Sequence, residues 1–357
     1  MAVGILGLGL YHPQQTRTND WWPQAVIQNW LQEKEKINQG LEQLAKYVKE
    51  MPPEAGLILQ GLDASKNDIF DGCKNRYIME EREDCVQMEI SAAKEAIEHA
   101  GLKPQNIDFI ISQSTLPNSL CETNGFFVHK ALNLSASCMV YGVAGMCNAF
   151  LMQLILGRSL IENGVHKKGL LIQSSGMSRL LDYTKKSSTL YGDIATAVVI
   201  GETDFGILSS ATSTYTKISP LMAIGVPQKC WYDTGKLEVY EQDASVGFNT
   251  CLWSVQQSKC LTEQALNNTS LSIDDIQFFA TNQGNLWFRS TTQNLIGLKN
   301  AHYVDTFQDY GGLIACNVPV SLYLGYKNNL IKKGDNMVFY TPGSGLQALS
   351  LIISSAI

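Results

Sequence analysis

The chain has 357 residues, 45% of them hydrophobic and 17% charged, with a net charge of −6. That balance suits a globular α/β protein with a large core, and the Lys and Arg clusters of a nucleic-acid surface are missing. No apolar run reaches the ~18 residues of a membrane span, and nine scattered cysteines form neither a disulfide framework nor a zinc pair. The opening residues read as a glycine-bounded strand, not a signal peptide. The expectation is a reduced, cytoplasmic protein with no nucleic-acid, membrane or metal partner.

In chain order, a first strand at 3–8 runs into a turn-rich loop. Asn19 or Asp20 is placed to cap a following helix, with Pro23 in its first turn. Apolar residues between Val26 and Val48 recur at helical spacing. Gly40 is expected to separate two helices there, and Pro52 and Pro53 to end the run. This stretch, about 21–68, has no counterpart later in the chain and reads as an insertion. It either covers core surface or forms a lid over a substrate pocket. A helix at 86–100, strands at 107–112 and 137–143, a helix at 148–163 and strands at 170–173 and 195–201 follow. Such alternation predicts mainly parallel sheets covered by helices.

The segment AIEHAGLKPQNIDFIISQS at 96–114 aligns without a gap with ALNNTSLSIDDIQFFATNQ at 265–283. IENG at 161–164 and IKKG at 331–334 repeat at nearly the same spacing. Solenoids repeat every ~20–50 residues, so this longer period implies two copies of one α/β half. The halves divide as 1–204, carrying the insertion, and 205–357.

The chemistry concentrates in GVAGMCNAF at 142–150. A strand ends there in small residues, and a helix is expected immediately after Cys147. A thiol at a helix N-terminus sits near unpaired N–H groups, whose partial positive charge favours the thiolate. Read alone, Cys147 is either that nucleophile or a buried structural cysteine. A dinucleotide-binding reading of residues 4–9 fails, because GILGLG lacks the required glycine spacing and a matching downstream acid.

Taken in order, GLGLYHPQQTRTN, GCKNRYI at 72–78, GVAGMCNAF, YGDIATAVVI at 191–200, TNQGNLWF at 281–288, YGGLIACNVP at 310–319 and TPGSG at 341–345 resemble the thiolase superfamily. Within it they are most similar to the ketoacyl-acyl-carrier-protein synthase III group. The resemblance spans nearly the whole chain apart from the insertion and a variable stretch at 217–245. It implies a thiolase-like fold of two duplicated halves, layered α/β/α/β/α, with mainly parallel mixed sheets. It also implies pairing with a second chain through a sheet edge near the nucleophile strand.

By this resemblance Cys147 is the nucleophile, and the backbone N–H groups of Cys147 and Gly343 form the oxyanion hole. The family's catalytic His falls on Asn282 and its catalytic Asn on Gly312. Asn285 is implied as a contact to a pantetheine arm. The Trp and Arg with which the family holds coenzyme A are replaced in KNDIFD at 66–71, and an Arg used in carrier docking is Trp287. Asp193, His302, Asp309, Tyr310 and Cys316 are read as turn, capping or packing residues.

An Asn side chain donates a hydrogen bond but accepts no proton at neutral pH, and Gly312 offers no side chain. Such losses reduce rates by ~10²–10⁴, which weakens decarboxylative condensation. Acyl loading of Cys147 with backbone support survives them. The implied function is an acyltransferase with no tightly bound cofactor, acting in specialised metabolism (polyketide or fatty-acid-derived). It takes acyl groups from a CoA or phosphopantetheinyl acyl-carrier-protein thioester and passes them to a small-molecule acceptor through nitrogen, oxygen or activated carbon. A homodimer, or a heterodimer with a paralogue, is implied. The alternatives are a decarboxylative condensing enzyme with an altered triad, and a non-catalytic partner subunit.

Overall fold

The computed structural model describes residues 2–217, 221–343 and 345–357. Ser344 of the TPGSG run and residues 218–220 of the variable stretch lie outside the described residues. The chain opens with β1 (Ala2–Tyr11) and β2 (Thr16–Thr18), continues through α1 (Gln24–Ala45) and α2 (Pro53–Ala64), and reaches β3 (Asn75–Tyr77). Next come α3 (Cys85–His99), β4 (Phe109–Ser114), α4 (Gly125–Ala131), β5 (Met139–Gly142), α5 (Ala149–Glu162), β6 (Lys168–Gly176) and β7 (Asp193–Thr203). The rest holds β8 (Ile207–Thr214), β9 (Met222–Gly225), β10 (Glu238–Glu241), α6 (Gly247–Leu266), β11 (Phe278–Thr281) and α7 (Phe288–Ile296). It closes with α8 (Phe307–Tyr310), α9 (Asn317–Lys327), β12 (Asn336–Gly343) and β13 (Gln347–Ser354).

Two sheets dominate. One has the order β1-β7-β6-β4-β5 and the other β11-β12-β13-β8. Helices α5 and α9 lie between them: Phe150, Leu151, Leu154 and Ile161 of α5 share one core with Val318 and Leu322 of α9 and with strand residues of both sheets. Helix α3 covers the outer face of the first sheet, where Met88, Ala92, Ala93 and Ala96 meet Ile110, Leu170 and Ala197. Helices α6 and α7, backed by α2, cover the outer face of the second. The result is five layers, α/β/α/β/α.

The repeat seen in the sequence reappears in the backbone. A 3-10 turn at Pro104–Asn106 precedes β4, and its counterpart at Ile273–Asp275 precedes β11. Gly164 and Gly334, at the ends of the two matched four-residue motifs, both take left-handed backbone, with φ 70 and 91.

Three expectations are corrected. The sheets are mixed, but parallel pairing is confined to β4/β5, β4/β6 and β11/β12, and the other pairs within them are antiparallel. The reason is connection length: β12 and β13 are joined by a short turn, and no α-helix separates β6 from β7. Gly40 does not divide the insertion helix, and α1 runs through it. A Cβ there would meet nothing within 4 Å, so an exposed glycine costs only about 1 kcal/mol of propensity in a 22-residue helix. Neither Asn19 nor Asp20 caps α1. Asn19 donates to Cys73 O and accepts from Arg76, Pro23 occupies the cap position, and Pro52 and Pro53 open α2.

The insertion is anchored from inside. Trp30 is 1% exposed, donates its indole N–H to Thr184 O at 2.7 Å and packs with Trp22 and Phe70. Lys34 and Lys186 both pair with Asp71, tying α1 to the body. Helix α2 lies on Trp287, against which Gly61 leaves no room for a Cβ. Truncating Trp30 to alanine is expected to cost about 3–5 kcal/mol locally. Limited proteolysis within α1 and α2 would then accelerate while the rest of the chain stays resistant. Equal cleavage rates in parent and variant would contradict this.

Candidate active site

Strand β5 ends at Gly142, and four residues later the backbone turns sharply. Met146 has φ 44, a left-handed conformation that a long side chain adopts only when its surroundings impose it. Cys147 and Asn148 complete a 3-10 turn with Met146 before α5 begins at Ala149, so the helix starts slightly later than the sequence suggested. The second half repeats this device: Ile314 has φ 54 and opens a 3-10 turn at Ile314–Cys316 that leads into α9. The two turns lie against each other. The partial positive ends of both buried helices therefore converge beside Cys147.

Cys147 is half-buried in an apolar cluster with Met177, Leu180, Ile314, Leu116 and Tyr191. Burial, followed by the neighbouring Cys147 sulfur, pushes the Tyr191 hydroxyl up to about 12. Next to it, Asn148 is 1% exposed and donates to Gln347 O at 2.7 Å. A Cβ added to Gly343 would stand 2.4 Å from the Asn148 amide nitrogen. Position 343 is therefore a glycine for a steric reason, and this close approach brings the end of β12 to the cysteine turn.

Asn282 follows β11 and is 7% exposed. Its amide donates to Pro342 O at 2.7 Å, and its side-chain oxygen has no hydrogen-bond partner. It thus touches the residue beside Gly343. Gly312 enters from another side: its N–H donates to Leu190 O at 2.6 Å, and Tyr191 bridges to it. A Cβ at 312 would lie 3.5 Å from Tyr191 and 3.6 Å from Gly284. Cys147, Asn282, Gly312 and Gly343 thus come from four separate motifs and belong to one connected region.

The remaining candidates separate from it. Asn285 commits its side-chain oxygen to Phe288 N at 2.9 Å, at the first residue of α7. His302 bridges to Phe278, at the opposite end of β11 from Asn282. Asp193 is fully buried, accepts from Met79 N and Ser178 N, and is raised to about 6 by burial. Cys316 caps α9 inside the core.

The structure adds a group that the sequence reading missed. Glu89 of α3 is 0% exposed. One carboxyl oxygen accepts from Asn124 at 3.0 Å and from Ser174, and the Ser174 hydroxyl also meets Ser114 at 2.7 Å. Its other oxygen has no partner. Its signal was available: position 89 falls at helical spacing among the buried Cys85, Ala92, Ala93 and Ala96. Burial raises Glu89 to about 7. Because the folded-state value lies above the unfolded one, its favourable contribution is full at low pH and is lost as pH rises through about 7. Glu89→Gln is expected to remove a pH-dependent loss of up to roughly 3 kcal/mol between about pH 4.5 and 7. Urea unfolding of parent and variant at pH 5 and pH 8 reads this, and identical pH slopes would exclude it.

Comparison with known proteins finds relatives over most of the chain. Residues 141–216 match the family model of 3-oxoacyl-[acyl-carrier-protein] synthase III, and residues 266–355 match its C-terminal counterpart. The beta-ketoacyl-[acyl-carrier-protein] synthase III of Rhizorhabdus wittichii is 27% identical over 278 residues, which cover 77% of this chain and 85% of that protein. That of Neisseria meningitidis is 26% identical over 279 residues, with the same coverage. Among solved structures, the Aquifex aeolicus 3-oxoacyl-[acyl-carrier-protein] synthase III superposes with a TM-score of 0.76 at 20% identity, covering 99% of this chain and all of that one. The priming beta-ketosynthase of the R1128 polyketide pathway gives 0.79 at 18% identity, covering 99% and 96%. These structural likenesses carry the fold alone. Sequence models, curated relatives and fold together support a thiolase-superfamily protein of the ketoacyl synthase III-like kind.

Proposed function

We propose that this chain is an acyltransferase that loads an acyl group from a CoA or acyl-carrier-protein thioester onto Cys147 and passes it to an acceptor nucleophile in specialised metabolism. The observation that carries the reading is the strained turn at Met146, which holds Cys147 where two helix N-termini meet, with Gly343 packed against the next residue. A thioester carbonyl beside Cys147 would find backbone donors there, and attack by the sulfur expels the donor thiol. Asn282 takes the position that the resemblance assigns to the catalytic His. Its amide is already engaged by Pro342, and it supplies no base. The second step therefore favours an acceptor that is nucleophilic without enolate stabilisation: nitrogen, oxygen or activated carbon.

Strand β5 is the outer strand of its sheet and Met139 is exposed, so this edge suits pairing with a second copy or a paralogue. Sedimentation of the purified chain tests that pairing. Intact-mass spectrometry after incubation with a panel of acyl-CoA and acyl-carrier-protein thioesters tests the transfer reading. An adduct at Cys147 supports it. Absence of any adduct sinks it and favours a non-catalytic partner subunit.

A further inference from the structure

Cys147 has two kinds of neighbour. Asn148, Asn282, Gly312 and Gly343 offer polar groups and backbone, whereas Met177, Leu180, Ile314, Tyr191, Met222 and Ile224 form the apolar cluster in which the thiol packs. A thioester carbonyl on the sulfur suits the first group, and its hydrocarbon chain suits the second. Met222 and Ile224 belong to β9, which pairs with β10 so that Ile224 faces Val239 of the same cluster. Strand alternation puts Met222 and Ile224 on one face of β9. The pair is docked on the body: Val239 N donates to Leu180 O at 2.8 Å, and Lys185 pairs with Glu238 at 3.6 Å. The Tyr191 hydroxyl donates to the Met222 sulfur at 3.2 Å. The other end of the same ring is what a Cβ on Gly312 would meet at 3.5 Å. The ring thus runs from Gly312 to Met222, and a chain laid along it from Cys147 reaches the methionine within the length of one phenol. Cys147, Tyr191, Met222 and Ile224 all keep partial exposure, so this space is open to a ligand. Beside Met222 stands its cross-strand partner Glu241, exposed, where a longer alkyl chain would meet a carboxylate instead of apolar cover.

We propose that the β9–β10 hairpin gates acyl length: the Tyr191–Met222 contact closes the space beside Cys147, so the site loads short acyl groups and rejects long ones. This rests on the acyl-transfer reading above. In the gated step the Cys147 sulfur adds to the thioester carbonyl. The C–S bond to the enzyme forms, the C–S bond to the donor breaks, and the donor leaves as a thiolate that takes a proton from solvent. Neither Tyr191 nor Met222 exchanges a proton, and both act on the chain alone.

Rates of loading, read by intact mass, test the gate with acetyl, butyryl and octanoyl thioesters, each presented on CoA and on acyl carrier protein. In the full-length parent, butyryl should load at least about tenfold faster than octanoyl. Met222→Ala should raise the octanoyl-to-butyryl ratio about tenfold, and the smaller cut Met222→Val should raise it less. The ratio is the readout because a general loss of structure lowers both rates together. Leu208→Ala, at an exposed position on β8, should leave the ratio where it is. Equal octanoyl and butyryl rates in the parent would overturn the gate alone. So would a ratio that neither Met222 variant moves. No loading from any of the thioesters would overturn the transfer reading, and the gate with it.

Discussion

Replacing Cys147 with alanine should reduce thioester-dependent acylation to background, although eight other cysteines remain in the chain. The argument is one of competition among thiols. Burial raises Cys73, Cys138 and Cys251 to about 11 and Cys316 to about 12, and it drives Cys85 higher still. At neutral pH these five are protonated, four of them (Cys73, Cys85, Cys138 and Cys316) are buried as well, and only a thiolate attacks a thioester at a useful rate. Cys121, Cys230 and Cys260 are exposed and lie outside the paired turns at Met146–Asn148 and Ile314–Cys316. Cys147 alone stands at the strained turn where two helix N-termini meet. Alanine fits the same turn, because the strain sits at Met146 and the close approach is between Asn148 and Gly343. The variant should therefore unfold at the same urea concentration as the parent while carrying no adduct. An adduct that persists in Cys147→Ala would place the acyl group on one of the exposed cysteines and remove the basis for the proposed function.

Much of this arrangement is legible in the sequence because local constraints repeat. The matched segments 96–114 and 265–283 carry the same turn, strand entry and helix ending, and the backbone places 3-10 turns at equivalent points of both. Cys147 is legible because small residues precede it and a helix follows. The strain at Met146 and Ile314 is not, since a methionine and an isoleucine are poor flags for left-handed backbone, and only the packing of the two turns imposes it. Mixed pairing is hidden for a similar reason: strand periodicity says nothing of direction, which the lengths of the connections decide. Gly40 misleads because a single exposed glycine costs a 22-residue helix only about 1 kcal/mol of propensity. Glu89 is one charge among several on a helix, and its burial follows from partners supplied by Asn124 and Ser174, far away in the chain.

Restoring the two side chains that the resemblance finds missing should create decarboxylative activity. The double variant Asn282→His, Gly312→Asn is expected to raise turnover of a malonyl thioester by about 10²–10⁴ over the parent, the range associated with one general acid or oxyanion donor. The structure accommodates both changes. Gly312 is absent from the positive-φ residues, and an added Cβ would meet Leu190 O at 3.3 Å, Tyr191 at 3.5 Å and Gly284 at 3.6 Å, contacts that a small shift relieves. Position 282 is buried but already aims a polar group at Pro342 O, and an imidazole N–H can take over that bond. Its second nitrogen would then occupy the side where the Asn282 oxygen has no partner. Asn282→His alone should recover part of the gain, and Gly312→Asn alone little, because enolate stabilisation needs donors converging on one oxygen. Loading of Cys147, which relies on backbone groups, should change little in either single variant. Carbon dioxide release from malonyl thioester, measured beside acyl loading, separates the two steps. A double variant that loads normally and releases no more carbon dioxide than the parent would show that Asn282 and Gly312 do not stand where the family's missing groups act.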